Sequence, residues 1–231
     1  MIIELLQPVY ISEENAVKSF KAFADSEFSG LDVSFDVTVQ NKRFSVSLEG
    51  EDAEVCESLL YREFGKPVTQ EEVEPETSYK GFIQKIEPER IIVNIGFELP
   101  IAADSLEQLG VGRAGQIAAR FGMISYLPVN VSVLVSEFGD LSAVFTKEQI
   151  DQWWSWKKTS TDRIFVNGAT RSQVKAVLQR KGHGRDVYGV EKIGLTECVI
   201  ICKEKTDAPG IVASIGKVLP LRMGVLLGTK K

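Results

Sequence analysis

The chain has a single histidine, His183, among its 231 residues, and that scarcity removes whole classes of chemistry. Ser-His-Asp hydrolysis, multi-histidine metal centres and HExxH metalloproteolysis would each have to run through this one imidazole. Cysteine is nearly as sparse. Cys56, Cys198 and Cys202 are an odd set, which is no disulfide framework and fits a reducing compartment. Cys198 and Cys202 lie in one apolar run, and four residues apart on a strand they share a face but stand roughly 13 Å apart, too far to hold one zinc ion. They read as small buried hydrophobes. No GxxxxGK(S/T) occurs, so P-loop hydrolysis has no support. No paired-carboxylate or metal-ligand spacing stands out, and no catalytic residue, metal or cofactor is assigned. No apolar run reaches the length of about eighteen residues that a transmembrane helix needs. Met1 to Pro8 carry no basic region ahead of an apolar core, unlike a secretory signal, so a cytoplasmic location away from any membrane is expected.

What is present is charge, unevenly placed. Residues 1–78 hold 6 Lys/Arg against 17 Asp/Glu, a net of −11. Residues 79–160 hold 8 against 9, a net of −1, and residues 161–231 hold 13 against 6, a net of +7. The overall net of −5 therefore hides a basic C-terminal third. Such asymmetry speaks of partners rather than of fold, and a basic domain beside an acidic one points to a polyanion on one side only, most often nucleic acid.

The hydrophobic pattern divides the chain into an α+β multidomain protein. In residues 1–66, a strand from Ile2 is followed by a helix opened by Ser12 as N-cap, with Ala16, Val17, Phe20, Phe23 and Ala24 at helical spacing. Leu31 to Val39 and Phe44 to Leu48 alternate as a hairpin, and Gly50-Glu51-Asp52 opens a second helix. The order βαββα lacks one strand of a ferredoxin-like fold. Residues 67–78 form an acidic linker, either a solvated connection or a shield for a basic surface of the same protein. Residues 79–146 read as five short strands with a small helix between the third and fourth, an OB-type β-barrel. Residues 147–231 begin with a capping-box pattern at Thr146 and a helix bearing Trp153, Trp154 and Trp156, which either dock the barrel onto the last domain or offer a base-stacking platform. The remainder reads βαββαβ, a complete ferredoxin-like unit closed by a strand from Leu221 to Leu227.

The run YKGFIQKIEPERIIVNIGFELPIAADSLEQLGVG carries Gly81, Val93, Gly96, Pro100, Ser105, Leu106 and Gly110 in the places of the S1-type OB domain of RNA-binding proteins, which it resembles. That family stacks bases on aromatics of its second and third strands. Here the second strand has none, and the resemblance leaves Lys80, Phe82, Lys85, Arg90 and Phe97 as the candidate barrel contacts. The segment CVIICKEKTDAPGIVASIGKVLP resembles the strand-to-helix entry of ACT domains, which implies an amino-acid-binding turn at Asp207, Pro209 and Gly210. A capped helix start explains the same residues. Over its whole length, and through GATRSQVKAVLQRKGHGRDV and KTDAPGIVASIG in particular, the chain resembles an uncharacterised family of archaeal proteins, a domain of unknown function. That resemblance implies an archaeal cytoplasmic protein and supplies no activity.

The densest candidate for chemistry is Arg171 to Arg185. It holds Arg171, Lys175, Arg180, Lys181, His183 and Arg185, with no acid before Asp186. Arg171 and Lys175 are i, i+4 neighbours on a helix, and the turn at Gly182-His183-Gly184 lets backbone amides approach a phosphate. The reading is a non-enzymatic RNA-binding factor of translation, tRNA handling or transcription, contacting tRNA or rRNA phosphates through this surface, with a protein partner for the acidic N-terminal module. The alternatives are a regulatory ligand-binding or assembly module around Asp207, and an enzyme built on His183, Arg185 and Asp186.

Overall fold

The computed structural model describes residues 1–218 and 222–229. These form an α+β multidomain protein whose described residues make three antiparallel sheets and six α-helices. The chain divides into two compact units, Met1–Thr69 and Gln70–Lys231.

The first unit runs β1 (Ile2–Pro8), α1 (Glu13–Glu27), β2 (Ser34–Gln40), β3 (Arg43–Glu49) and α2 (Ala53–Phe64), with sheet order β1-β3-β2. Alternation puts Phe44, Val46 and Leu48 of β3 under the helices, where Phe20 stacks on Phe44 at 4.9 Å and Phe64 closes against Phe20 at 5.6 Å. Ser12 occupies the N-cap position of α1 but makes no side-chain cap bond, which corrects the sequence expectation. Asp52, ahead of α2, turns its carboxylate to the backbone N–H of Asp32 at 2.7 Å instead of to its own helix.

The second unit opens with β4 (Ser78–Ile86), β5 (Arg90–Asn94), β6 (Glu98–Ala102), α3 (Ala114–Arg120), β7 (Pro128–Val135) and β8 (Leu141–Phe145). Their sheet order is β6-β5-β4-β7-β8. The outer strands β6 and β8 come alongside each other, yet no ladder joins them among the described residues, so the closed barrel predicted from sequence is not formed. Both are five residues long, and β6 carries at its centre Pro100, which has no N–H to donate.

The helix α4 (Lys147–Lys157) joins this sheet to the next. Thr146 Oγ1 accepts from Gln149 N, but the Gln149 amide is diverted to the Asn130 N–H at 3.0 Å, leaving half of the capping box. The three tryptophans divide their work. Trp153 is buried edge-on to Phe145 at 4.8 Å, and Trp154 meets Phe121 at 5.3 Å while its Nε1 donates to Gln108 O. Trp156 packs on Phe165 at 5.8 Å.

Then come β9 (Arg163–Asn167), α5 (Arg171–Arg180), β10 (Val187–Lys192), β11 (Glu197–Cys202), α6 (Ala208–Ile215) and β12 (Arg222–Leu226), with sheet order β10-β11-β9-β12. The first residue of the predicted closing strand, Leu221, lies outside the described residues, as do Leu219, Pro220, Lys230 and Lys231. One face of the sheet, through Ile164, Val166, Cys198, Ile200 and Cys202, packs under Val174, Leu178, Ile211 and Ile215 of the two helices. The other face is also covered, with Phe165 and Val199 each 1% exposed. At this seam a Cβ on Gly224 would stand 2.1 Å from the Gly122 carbonyl oxygen, so only glycine lets β12 lie against the turn after α3.

Candidate nucleic-acid interface

Helical geometry first separates the residues that the sequence groups. On α5 the buried positions are Val174, Val177 and Leu178. Arg171 and Lys175 flank one side of that stripe. Arg180, nine residues on from Arg171, falls on the opposite flank and roughly 13 Å along the axis. Arg171 is further withdrawn, because its Nε donates to Val190 O at 2.7 Å and ties the helix to β10. Lys175, Arg180 and Lys181 are exposed and form no ion pair among the described residues. The helix itself is firmly started, with a full capping box between Thr170 and Gln173. Lys181 and left-handed Gly182, at φ +81°, then turn the chain into a single 3-10 turn over residues 183–185.

That turn meets a second loop. His183, Arg185 and Asp186 form one wall of an open groove of about 620 Å³, and Lys203, Glu204, Lys205, Thr206, Asp207, Gly210 and Ile211 form the other. The groove thus joins two sites that the sequence treats separately, the basic turn and the Asp207 turn. Backbone bonds hold the walls in register: Lys203 N donates to Asp186 O at 2.8 Å, and Thr206 Oγ1 to the same carbonyl at 3.1 Å.

Every acid of the groove has a donor. Asp186 Oδ2 stands 3.0 Å from His183 Nδ1. Glu204 Oε2 accepts from the Tyr188 hydroxyl at 2.5 Å, and its Oε1 from Ser160 Oγ at 3.5 Å. The tyrosine bond holds the Glu204 carboxyl below its ordinary range and raises the Tyr188 phenol. Asp207 is the N-cap of α6 and accepts from Gly210 N at 3.1 Å, with Pro209 in the first turn. The cations of the groove have no such partners. Arg185, Lys203 and Lys205 are exposed and make no ion pair among the described residues. Lys203 only leans over the Tyr188 ring at 5.9 Å.

Tyr188, Lys203 and Lys205 were not among the sequence candidates. Tyr188 follows Arg185 closely on β10, whereas Lys203 and Lys205 come from the loop before α6, some twenty residues beyond the basic helix, and only the fold brings these two beside His183 and Arg185. A sequence signal did exist for Tyr188, a lone aromatic on the polar side of a short alternating strand. It is 60% exposed.

The candidate contacts of the five-stranded sheet fare differently. Phe82 is buried at 5% exposure, so its ring serves packing. Lys85 Nζ and Arg90 Nε both bind Glu87, at 2.7 and 2.8 Å, across the β4–β5 hairpin. The Lys85 bond, then the Arg90 bond, pull the Glu87 carboxyl down to about 2. Lys80 is exposed on β4 and Phe97 half-buried in the turn before β6.

No cluster of His, Cys, Asp and Glu among the described residues could hold a metal ion. Burial pushes the Cys198 and Cys202 thiols up to about 12, which suits inert packing. No helix of the described residues is long and apolar enough to cross a membrane.

Family models match the chain in three consecutive pieces: the DUF2110 N-terminal domain over residues 2–70, the DUF2110 central domain over 73–157 and the DUF2110 C-terminal domain over 161–227. The chain belongs to the DUF2110 family. No curated protein matches it. In the terms of this family, the groove lies wholly within the DUF2110 C-terminal domain, and the Lys85–Glu87–Arg90 cluster lies in the central domain.

Proposed function

We propose that this DUF2110 protein is an RNA-binding factor of the cytoplasm, acting in translation, tRNA handling or transcription, and that the groove of its C-terminal domain is where RNA phosphates bind. One observation carries the reading: the carboxylates of the groove are engaged by internal donors, whereas Arg185, Lys203 and Lys205 are exposed and make no ion pair among the described residues. The three cations and three carboxylates of the groove balance formally, so the pull on a polyanion comes from exposed cations that can make charge-assisted hydrogen bonds to phosphate. Lys175, Arg180 and Lys181 on the adjoining helix extend the cationic surface.

The strand orders support the finer reading of the fold. An order of 2-3-1-4 within the C-terminal sheet, and 1-3-2 in the first unit, are those of ferredoxin-like modules with and without a last strand. The central order, with β6 and β8 drawn alongside, supports an OB-like sheet of the S1 type left open at one seam. Its cations at the hairpin are already paired with Glu87, so the central domain is read as a spacer. The acidic first unit exposes Glu13, Glu14, Glu51 and Glu54 and would repel RNA, which leaves it to recruit a protein partner.

Binding of fluorescein-labelled tRNA and rRNA fragments, followed by anisotropy at 50 and 200 mM salt, tests the proposal. Affinity is expected to fall steeply with salt, and Arg185→Glu to weaken binding and flatten the salt slope by about one. Absence of binding at low salt, or an unchanged affinity in Arg185→Glu combined with Lys203→Glu, refutes it. A ligand-dependent melting shift with amino acids in place of RNA binding would favour the regulatory alternative at Asp207.

A further inference from the structure

We infer that the groove is built for a single RNA strand with an unpaired base, which stacks on the Tyr188 ring while its flanking phosphates lie against Arg185, Lys203 and Lys205. This deepens the proposed function and rests on it. The argument begins with the ring. Tyr188 is the large aromatic left 60% exposed beside the groove, on the edge strand β10. Its hydroxyl is anchored on Glu204, so the ring is held in place before any ligand arrives. A pre-positioned ring loses little freedom when a base lands on it. Lys203 lies 5.9 Å from the ring centroid, at the outer limit of a cation–π contact. A base can displace it at small cost and leave its ammonium beside the neighbouring phosphate.

The mixed lining argues against a duplex. Asp186, Glu204 and Asp207 are interleaved with the three cations around the groove. A duplex would press dense phosphate rows onto those carboxylates and keep its bases out of reach of Tyr188. A single strand can place phosphates between the acids and turn one base outward. The acids then have a use. Asp207 gives Oδ1 to its helix cap, and its Oδ2 accepts no hydrogen bond among the described residues, so it is available to a ribose 2′-hydroxyl. That contact distinguishes RNA from DNA. The sheet faces offer no rival platform, since both are covered, with Phe165 and Val199 buried on one side and the helices on the other.

The test uses the full chain and three labelled probes of one mixed sequence: a ten-nucleotide RNA, the same sequence as DNA, and the RNA annealed to its complement. The single-stranded RNA is expected to bind about ten-fold tighter than the duplex and several-fold tighter than the DNA. Tyr188→Ala should weaken the single-stranded RNA by about ten-fold and leave the duplex unchanged, while Tyr188→Phe, which keeps the ring, should stay within about three-fold of the native chain. Equal affinity for duplex and single strand, equal affinity for DNA, or native binding by Tyr188→Ala overturns this inference while leaving the groove an RNA site. Loss of discrimination is separate from loss of the site itself: if Arg185→Glu with Lys203→Glu binds all three probes as the native chain does, the proposed function fails along with it.

Discussion

Two places in this protein set lysine and arginine beside carboxylates, and they do so in opposite ways. At the β4–β5 hairpin a single glutamate, Glu87, takes both Lys85 and Arg90, and the three charges close on one another. In the C-terminal groove three acids sit among Arg185, Lys203 and Lys205, yet each acid is held by a histidine, by hydroxyl groups or by a backbone N–H, and the cations make no ion pair among the described residues. Local composition is similar in the two places. What differs is which donors reach the carboxylates first. Neutral donors leave the cations available, whereas charged donors consume them.

The most direct way to break this comparison is to reverse the charges at both places. Arg185→Glu with Lys203→Glu is expected to weaken RNA binding by about ten-fold or more for each lost contact, as charge-assisted hydrogen bonds to phosphate are lost. Lys85→Glu with Arg90→Glu should leave binding within about two-fold, because those cations are already engaged by Glu87. Anisotropy titrations of the two double variants against the same RNA check it, and comparable losses would show that the hairpin is not the silent partner.

A variant without any charge change separates loss of the site from loss of its scaffold. Thr170→Ala removes the N-terminal anchor of α5, the helix that delivers the 183–185 turn to the groove. A stability loss of about 1 kcal/mol is expected, seen as a melting temperature about 3 °C lower, with RNA affinity unchanged at temperatures where the variant is folded. The converse experiment is Glu87→Ala, which frees Lys85 and Arg90. It should steepen the salt dependence of binding to a long RNA by about 0.7 per cation recruited. An unchanged slope would confine RNA to the groove.

How much of this was legible in the sequence depends on what each feature rests on. The inner strands of the C-terminal domain follow from short continuous apolar runs, and Thr170, Gly182 and Asp207 act at helix ends through their own local geometry, so those elements could be read directly. The site could not be read so directly, because a run of basic residues along a chain is not a patch in space. Arg171 is drawn onto the Val190 carbonyl, Arg163 is held by Thr159 and Thr161 under Trp156, and Arg222 lies over the Tyr126 ring at 4.8 Å. The net of +7 therefore overstates the charge on offer, and part of what remains comes from Lys203 and Lys205 on a different loop. Closure of the central sheet was equally out of reach, because it depends on whether two five-residue edges meet with donors in register.

The smallest expected effect reads the hairpin from the side of pH. Glu87 has its carboxyl pulled from an ordinary 4.5 down to about 2 by Lys85 and Arg90. A carboxyl depressed in the folded state stabilises the fold above its unfolded pKa, and that contribution is lost as pH falls from about 4.5 through about 2. Glu87→Gln removes the titration, so its melting temperature should lie below that of the native chain at pH 6 and converge with it near pH 2. The Glu87 side chain is partly exposed and its two partners more so, water screens the charges, and the gap at pH 6 should be on the order of a degree. The groove should behave differently. Its acids are held mainly by neutral groups, so lowering the pH from 6 to 5 should not release Arg185, Lys203 or Lys205 from any partner, and RNA affinity in that range should not rise through them. A gap between native and Glu87→Gln that persists at pH 2 would mean that the hairpin cations are held by something other than this carboxylate, and the contrast between the two regions would lose its basis.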